Sequence, residues 1–131
     1  VSALSITAAS VVGSWQETRI AGAAITAGQA IYLDSSSLVQ KSDCDSASAA
    51  KTVYGVALNS AASGQPVAIQ RTGNITIGAT TTAGKIYVLD GGAGGICPVD
   101  DLTSGDTVVV IGVGISTTQI MLGILNSGTA L

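Results

Sequence analysis

The sequence predicts an all-β fold, a compact antiparallel barrel or sandwich built from two related half-units with an N-terminal strand or arm. Three observations predict it. Short runs rich in Val and Ile recur along the chain, each bounded by Gly, Asp, Ser or Asn. No segment of helix length carries an apolar stripe at 3.6-residue spacing, and "DCDSASAAK" allows a single turn at most. One stretch also returns: "TAGQAIYLD" (Thr26 to Asp34) reappears as "TAGKIYVLD" (Thr82 to Asp90), with one residue fewer between glycine and tyrosine. A patch containing a cysteine follows each copy, then "VYGVAL" in the first half and "VIGVGI" in the second. The offset of about 53 to 57 residues suits a whole sheet unit rather than one rung of a solenoid.

Taken in order, residues 1–24 read as one or two strands or an extended arm, because β-branched residues are frequent and no caps bracket a helix. This texture is distinct from the rest and suggests a separate job, such as pairing with a neighbouring subunit. The β domain spans 25–131, its repeat dividing into 25–80 and 81–131. Strands are expected at Ala30 to Asp34, Ser37 to Lys41, Thr52 to Leu58 and Pro66 to Arg71. After "TGN" as a turn, more follow at Asn74 to Ile77, Lys85 to Leu89, Thr107 to Ile115 and Gln119 to Leu125. The glycines of "GGAGG" lose much backbone entropy on ordering, so Gly91 to Gly95 is expected to be a loop at the rim.

The 131 residues suffice for one domain that buries roughly two-thirds of its unfolded surface. The core must be thin: the chain has no Phe, one Trp and three Tyr, so Val, Ile, Leu and Ala fill it. Only 10% of residues are charged and the net charge is −3. Such a surface builds no positive potential for a phosphate backbone, which excludes nucleic acid as a direct ligand. A charge-poor exterior suits either a surface covered in a working assembly or a Ser/Thr-rich secreted face. The chain opens without a basic segment followed by an apolar run, so no signal peptide is expected, and its apolar runs are too short for a membrane span.

Chemistry finds little to work with. Histidine is absent, which removes the usual proton shuttle and the usual partner of a nucleophilic Ser or Cys. Asp90, Asp100, Asp101 and Asp106 form a loose oxygen cluster without the EF-hand spacing. Asp43, Cys44 and Asp45 invite a metal or thiol reading, but two cysteines without histidine cannot complete an ordinary four-ligand zinc site except across subunits, and Gly91 to Gly95, Gly112 and Gly114 match no nucleotide fingerprint. Asn74-Ile75-Thr76 is a formal glycosylation sequon, relevant only on a eukaryotic secretory route. No catalytic residue, cofactor or metal is therefore expected. Cys44 and Cys97 are either separate buried thiols or a single bridge. Tyr32 and Tyr87 read as core or rim residues of the repeated strand. Trp15, with Glu17 and Arg19 beside it, reads as an interface anchor or as ordinary core packing.

The segments "AGQAIYLD", "GVALNSAASGQPVAIQ", "GNITIGA", "GGICPVDDLTSGD" and "IMLGILNSG", spread over residues 25 to 128, resemble the small decoration, or cement, proteins of tailed-bacteriophage capsids. The resemblance implies a non-enzymatic virion protein, assembled in the bacterial cytoplasm, that binds the outer surface of the shell and reinforces it against packaged DNA. It implies as partners the major capsid protein and further copies of the chain, commonly as a trimer, with the first 24 residues as an arm. Two other readings compete. A head fibre or spike base module would need an extended continuation, and a carbohydrate-binding β module would need exposed aromatics.

Overall fold

The computed structural model describes residues 4–43, 52–90, 94–102 and 106–130. It is nearly all β, with ten strands in two five-stranded antiparallel sheets. The first sheet takes β1 (Glu17–Ile20), β2 (Ala30–Leu33), β3 (Val39–Lys41), β4 (Gly55–Ala57) and β5 (Pro66–Gln70), in the order β1-β5-β4-β2-β3. The second takes β6 (Thr72–Thr76), β7 (Ile86–Leu89), β8 (Ile96–Pro98), β9 (Thr107–Gly114) and β10 (Gln119–Ala130), in the order β6-β10-β9-β7-β8. Strand for strand the two orders are the same. The sheets part at Arg71, so β6 lies in the second sheet although it falls within 25–80.

The repeat is visible in the hydrogen bonds. Gly28 and Gly84 both sit at positive φ, +89° and +83°, third in turns closed by Gln29 N–H to Thr26 O and Lys85 N–H to Thr82 O. A glycine there is what a type II turn requires. Gly28 N–H then donates to Ala57 O, and Ala57 N–H to Gln29 O; Gly84 N–H donates to Gly114 O, and Gly114 N–H to Lys85 O. Counted from the turn glycine, Tyr87 occupies the place of Ile31, and both are buried. Tyr32 falls one residue further on and is half-buried. The one-residue slip of the tyrosine therefore changes which face of the strand carries the ring. Tyr87 is the largest side chain of the core, and its hydroxyl accepts the Thr82 N–H at 2.9 Å.

Each sheet curls around its own apolar cluster, and the barrel-or-sandwich alternative resolves as sandwich-like. Ile31, Val39, Ala57, Val67 and Ile69 fill the first, closed over by Ala21, Ile25 and Ala61. A single parallel bridge, Ala21 to Val39, draws the edges of this sheet together without closing a barrel. Ile75, Ile77, Tyr87, Leu89, Ile111 and Ile120 lead the second cluster, which also takes in Ala30 and Val56 from the first sheet and Val53 from the approach to β4. Those three residues are where the halves join.

Two polar side chains reinforce the junction. Gln70, wholly buried at the end of β5, accepts the Ser14 N–H at 2.9 Å and donates to Thr72 O and Asn74 O, both at 2.9 Å. Asn126 of β10 accepts from Val53 N–H at 2.8 Å and donates to Val53 O at 3.2 Å, doing with an amide what a neighbouring strand would do. The N-terminal stretch lies along its own chain. Leu4 N–H donates to Ile96 O, Thr7 N–H to Gly78 O, and Val12 exchanges both bonds with Thr76. Leu4, Ile6 and Val11 pack against the second cluster, and the stretch ends in β1, an edge strand of the first sheet.

Several expected strands moved. Ser37 stands at φ +63° in a turn held by Asp34, so β3 begins only at Val39. "TGN" is no hairpin turn: β6 starts at Thr72 and pairs with β10, not with β5. β8 lies in the patch after the glycine-rich stretch, where no strand was expected, and carries Pro98 on a sheet edge, where a missing N–H is tolerated. Asp43 apart, the possible helical turn "DCDSASAAK" lies outside the described residues. So does Cys44, and with it any pairing to the buried Cys97.

Candidate interaction surface

Trp15, Glu17 and Arg19 fall on two different surfaces. Alternation along β1 turns Glu17 and Arg19 to one face and Thr18 and Ile20 to the other. Trp15, just before the strand, is 73% exposed, and its indole N–H donates to Thr18 Oγ1 at 2.7 Å. With Thr18, Asn59, Pro66 and Ala68 it lines an open groove of about 290 Å³ whose walls are almost wholly apolar. The reading of Trp15 as core packing is thereby overturned. An exposed ring beside an apolar groove, with its polar edge already bonded, is the kind of anchor that protein interfaces bury.

On the other face, the Glu17 carboxylate accepts from the Tyr54 hydroxyl at 2.6 and 2.7 Å and from Arg19 Nε at 2.5 Å. These bonds, the tyrosine's first, hold Glu17 below its usual carboxylate range against the opposing effect of burial, and Glu17 in turn keeps Arg19 firmly protonated. Arg71 lies over the Tyr54 ring at 3.9 Å, with Arg19 at 5.8 Å from the same ring. Arg71 Nε donates to Tyr54 O at 3.1 Å. Gln16 binds the Arg71 and Thr72 N–H groups through its Oε1. Both arginines of the chain thus converge on one tyrosine. Sequence reasoning missed Tyr54 and Arg71, which stand far from Glu17 along the chain; the rarity of arginine was the one available signal.

Elsewhere the surface offers contact rather than chemistry. Ile86, Val113 and Met121 stand opposite one another across β7, β9 and β10, with Ile86 and Met121 exposed. A cleft between the N-terminal stretch and the second sheet is lined by Ser5, Thr7, Ser10, Thr76, Thr117 and Thr118, with neither an aromatic nor a titratable side chain in its walls. Among the described residues no group of three or more Asp, Glu, Cys or His side chains comes together as a metal site. Gly112 and Gly114 serve β9 itself: a Cβ at either would lie about 2 Å from a backbone oxygen, Met121 O and Thr82 O respectively. No helix is long and apolar enough to cross a membrane among the described residues.

Comparison with known proteins adds one finding. No curated protein matches the chain. A family model described as phage cement protein matches residues 5–71, just over half of it. That match takes in the N-terminal stretch, which carried none of the motifs of the sequence-level resemblance, and the whole first sheet, with Trp15, Glu17, Arg19, Tyr54 and Arg71. The chain belongs to the phage cement protein family, a family of virion structural proteins rather than of enzymes.

Proposed function

We propose that this protein binds the outer surface of a tailed-phage capsid and stabilises the shell, with the major capsid protein as its partner. The observation that carries this reading is the exposed Trp15 and its apolar groove, set within the matched residues 5–71. In this reading the Trp15 surface, with Glu17 and Arg19 behind it, meets the shell. Residues 1–24 contribute to assembly as well as to the fold, the β domain from residue 25 supplies the body, and three copies assemble into a trimer. Assembly takes place in the bacterial cytoplasm. A shell supplies many equivalent sites, so modest contacts add through multivalency, and a hydroxyl-rich, charge-poor surface docks without the desolvation cost of many lysines and glutamates.

The test is to add purified protein to expanded capsids lacking it and heat them while following release of packaged DNA. Bound protein should raise the release temperature, and Trp15→Ala should abolish the rise while melting within about 2 °C of the wild type, since an exposed side chain contributes little to stability. Capsids that neither bind the protein nor gain stability would refute the reading. Light scattering over a dilution series tests the trimer separately.

A further inference from the structure

We infer that Arg71 is a prepared receptor for a carboxylate of the capsid protein, an inference that rests on the capsid-binding reading above. The guanidinium is fixed before any partner arrives: its Cζ lies over the Tyr54 ring, 3.9 Å from the centroid, and its Nε donates to Tyr54 O at 3.1 Å. Gly55 leaves room for the stem, since a Cβ there would come within 3.3 Å of Arg71 Cγ. The two terminal nitrogens find no hydrogen-bond partner among the described residues. Arg71 edges a groove of about 500 Å³ at the junction of the two halves, walled by Val53 and Ile124 and by the polar side chains of Gln16, Thr72 and Asn126. The two amides are already engaged. The Gln16 amide is bonded at both ends to residues 71 and 72, with Thr72 Oγ1 among its acceptors, and the Asn126 amide at both ends to Val53.

What remains is a fork of N–H donors whose orientation is settled in advance, and the group that matches such a fork with two parallel bonds is a carboxylate. Fixing the fork beforehand removes ordering entropy that binding would otherwise cost. Glu17, the acid nearest at hand, is committed to Tyr54 and Arg19 and senses Arg71 only through space.

A second copy of the chain is a poor source for the missing partner. Asp34 is bonded to Ser36, Leu38 and Gln40, and Asp100 to Lys85. Asp43, Asp90 and Asp106 are likewise engaged, and Asp101 has one oxygen enclosed. Among the described residues Asp101 alone lacks a bonded partner, and it is half-buried with one oxygen fully enclosed, a poor group to present to a sister subunit. The acid comes from the shell.

The experiment is co-sedimentation of the protein with capsids stripped of it, native or with their carboxylates amidated by carbodiimide and glycinamide. Arg71→Gln should weaken binding to native capsids by roughly 30-fold, the effect of losing an interface hot spot. Arg71→Lys, which keeps the charge and loses fork and stack, should weaken it by about tenfold and keeps the test usable if the glutamine variant folds poorly. Amidation should bring the wild type down to the level of Arg71→Gln and leave Arg71→Gln itself unchanged. Equal binding by wild type and both variants would overturn the inference, as would undiminished wild-type binding to amidated capsids. A change in native mass on substitution would place the arginine between copies and overturn it too. Wild-type protein that ignores native capsids altogether would take down the capsid-binding reading with it, whereas wild-type binding with indifferent variants removes this inference alone.

Discussion

Replacing Gln70 by Leu keeps the volume of the side chain and removes all three of its hydrogen bonds. The site is fully buried, so the apolar replacement meets no packing penalty of its own. What it leaves behind is one main-chain donor, Ser14 N–H, and two acceptors, Thr72 O and Asn74 O, each formerly bonded at 2.9 Å. A neutral hydrogen bond contributes about 1 kcal/mol net. Ser14, Thr72 and Asn74 are themselves exposed, so water recovers part of the loss, and a total of about 2 to 3 kcal/mol is expected. For a chain of this length that is a fall in Tm of roughly 7 to 11 °C. Differential scanning calorimetry reads it directly, and amide exchange at Ser14 should quicken in parallel because that amide loses its acceptor. A variant melting within about 2 °C of the wild type would refute the reasoning, since it would mean that the buried amide contributes nothing to holding β5, β6 and the N-terminal stretch together.

Other expectations are as specific. Gly114→Ala would place a Cβ 2.1 Å from Thr82 O and 3.2 Å from Tyr87 Cε2, while Gly123→Ala would meet nothing within 4 Å. The first should lower stability by about 3 kcal/mol or more and the second should melt like the wild type; equal Tm values for the pair would contradict the packing of β9. Asn126→Ala removes both bonds to the Val53 backbone, so exchange of the Val53 amide, followed by NMR, should accelerate by about tenfold or more, and unchanged protection would show that the junction does not depend on it. In Tyr54→Phe the Glu17 carboxylate loses its leading hydrogen bond and its pKa should rise toward the ordinary glutamate value. Because the folded-state pKa is depressed, the stabilisation from Glu17 is present above its unfolded pKa and is lost as pH falls through the folded one; wild-type stability should therefore decline more steeply than that of Tyr54→Phe on acidification below the unfolded value. Carboxyl-carbon NMR titration checks the shift, and identical Glu17 curves for the two proteins would rule out the tyrosine as its cause.

The β class and the positions of most strands were legible because alternation and Gly/Asp/Ser punctuation are local signals. What was not legible depends on partners distant in sequence. β8 is only three residues long and contains proline, and its role as a strand comes from the Leu89 to Ile96 pairing rather than from its composition. β10 runs on to Ala130 through a polar "NSGTA" because β9 lies alongside it. The strand expected from Thr52 shrinks to Gly55–Ala57 because the Val53 backbone bonds instead to the side chain of Asn126. The same limit hid the arginine site. Glu17 and Arg19 stood out as neighbouring charges, but the ring that brings Arg71 to them is set in place by the pairing of β1, β5 and β4.

The docking of the N-terminal stretch fixes the order in which the molecule can be completed. The first sheet is contiguous in sequence and has all its strands once Gln70 has been synthesised. Residues 4–12, made earlier still, have their partners at Thr76, Gly78 and Ile96, which emerge only with the second half. Residues 4–12 must therefore wait, unplaced, until β6 and β8 exist. A nascent chain stalled between the halves would hold a finished first sheet, an open junction at Ala30, Val53 and Val56, and an undocked stretch at residues 4–12. Residues 4–12, translated before the first sheet, reach their final positions after it.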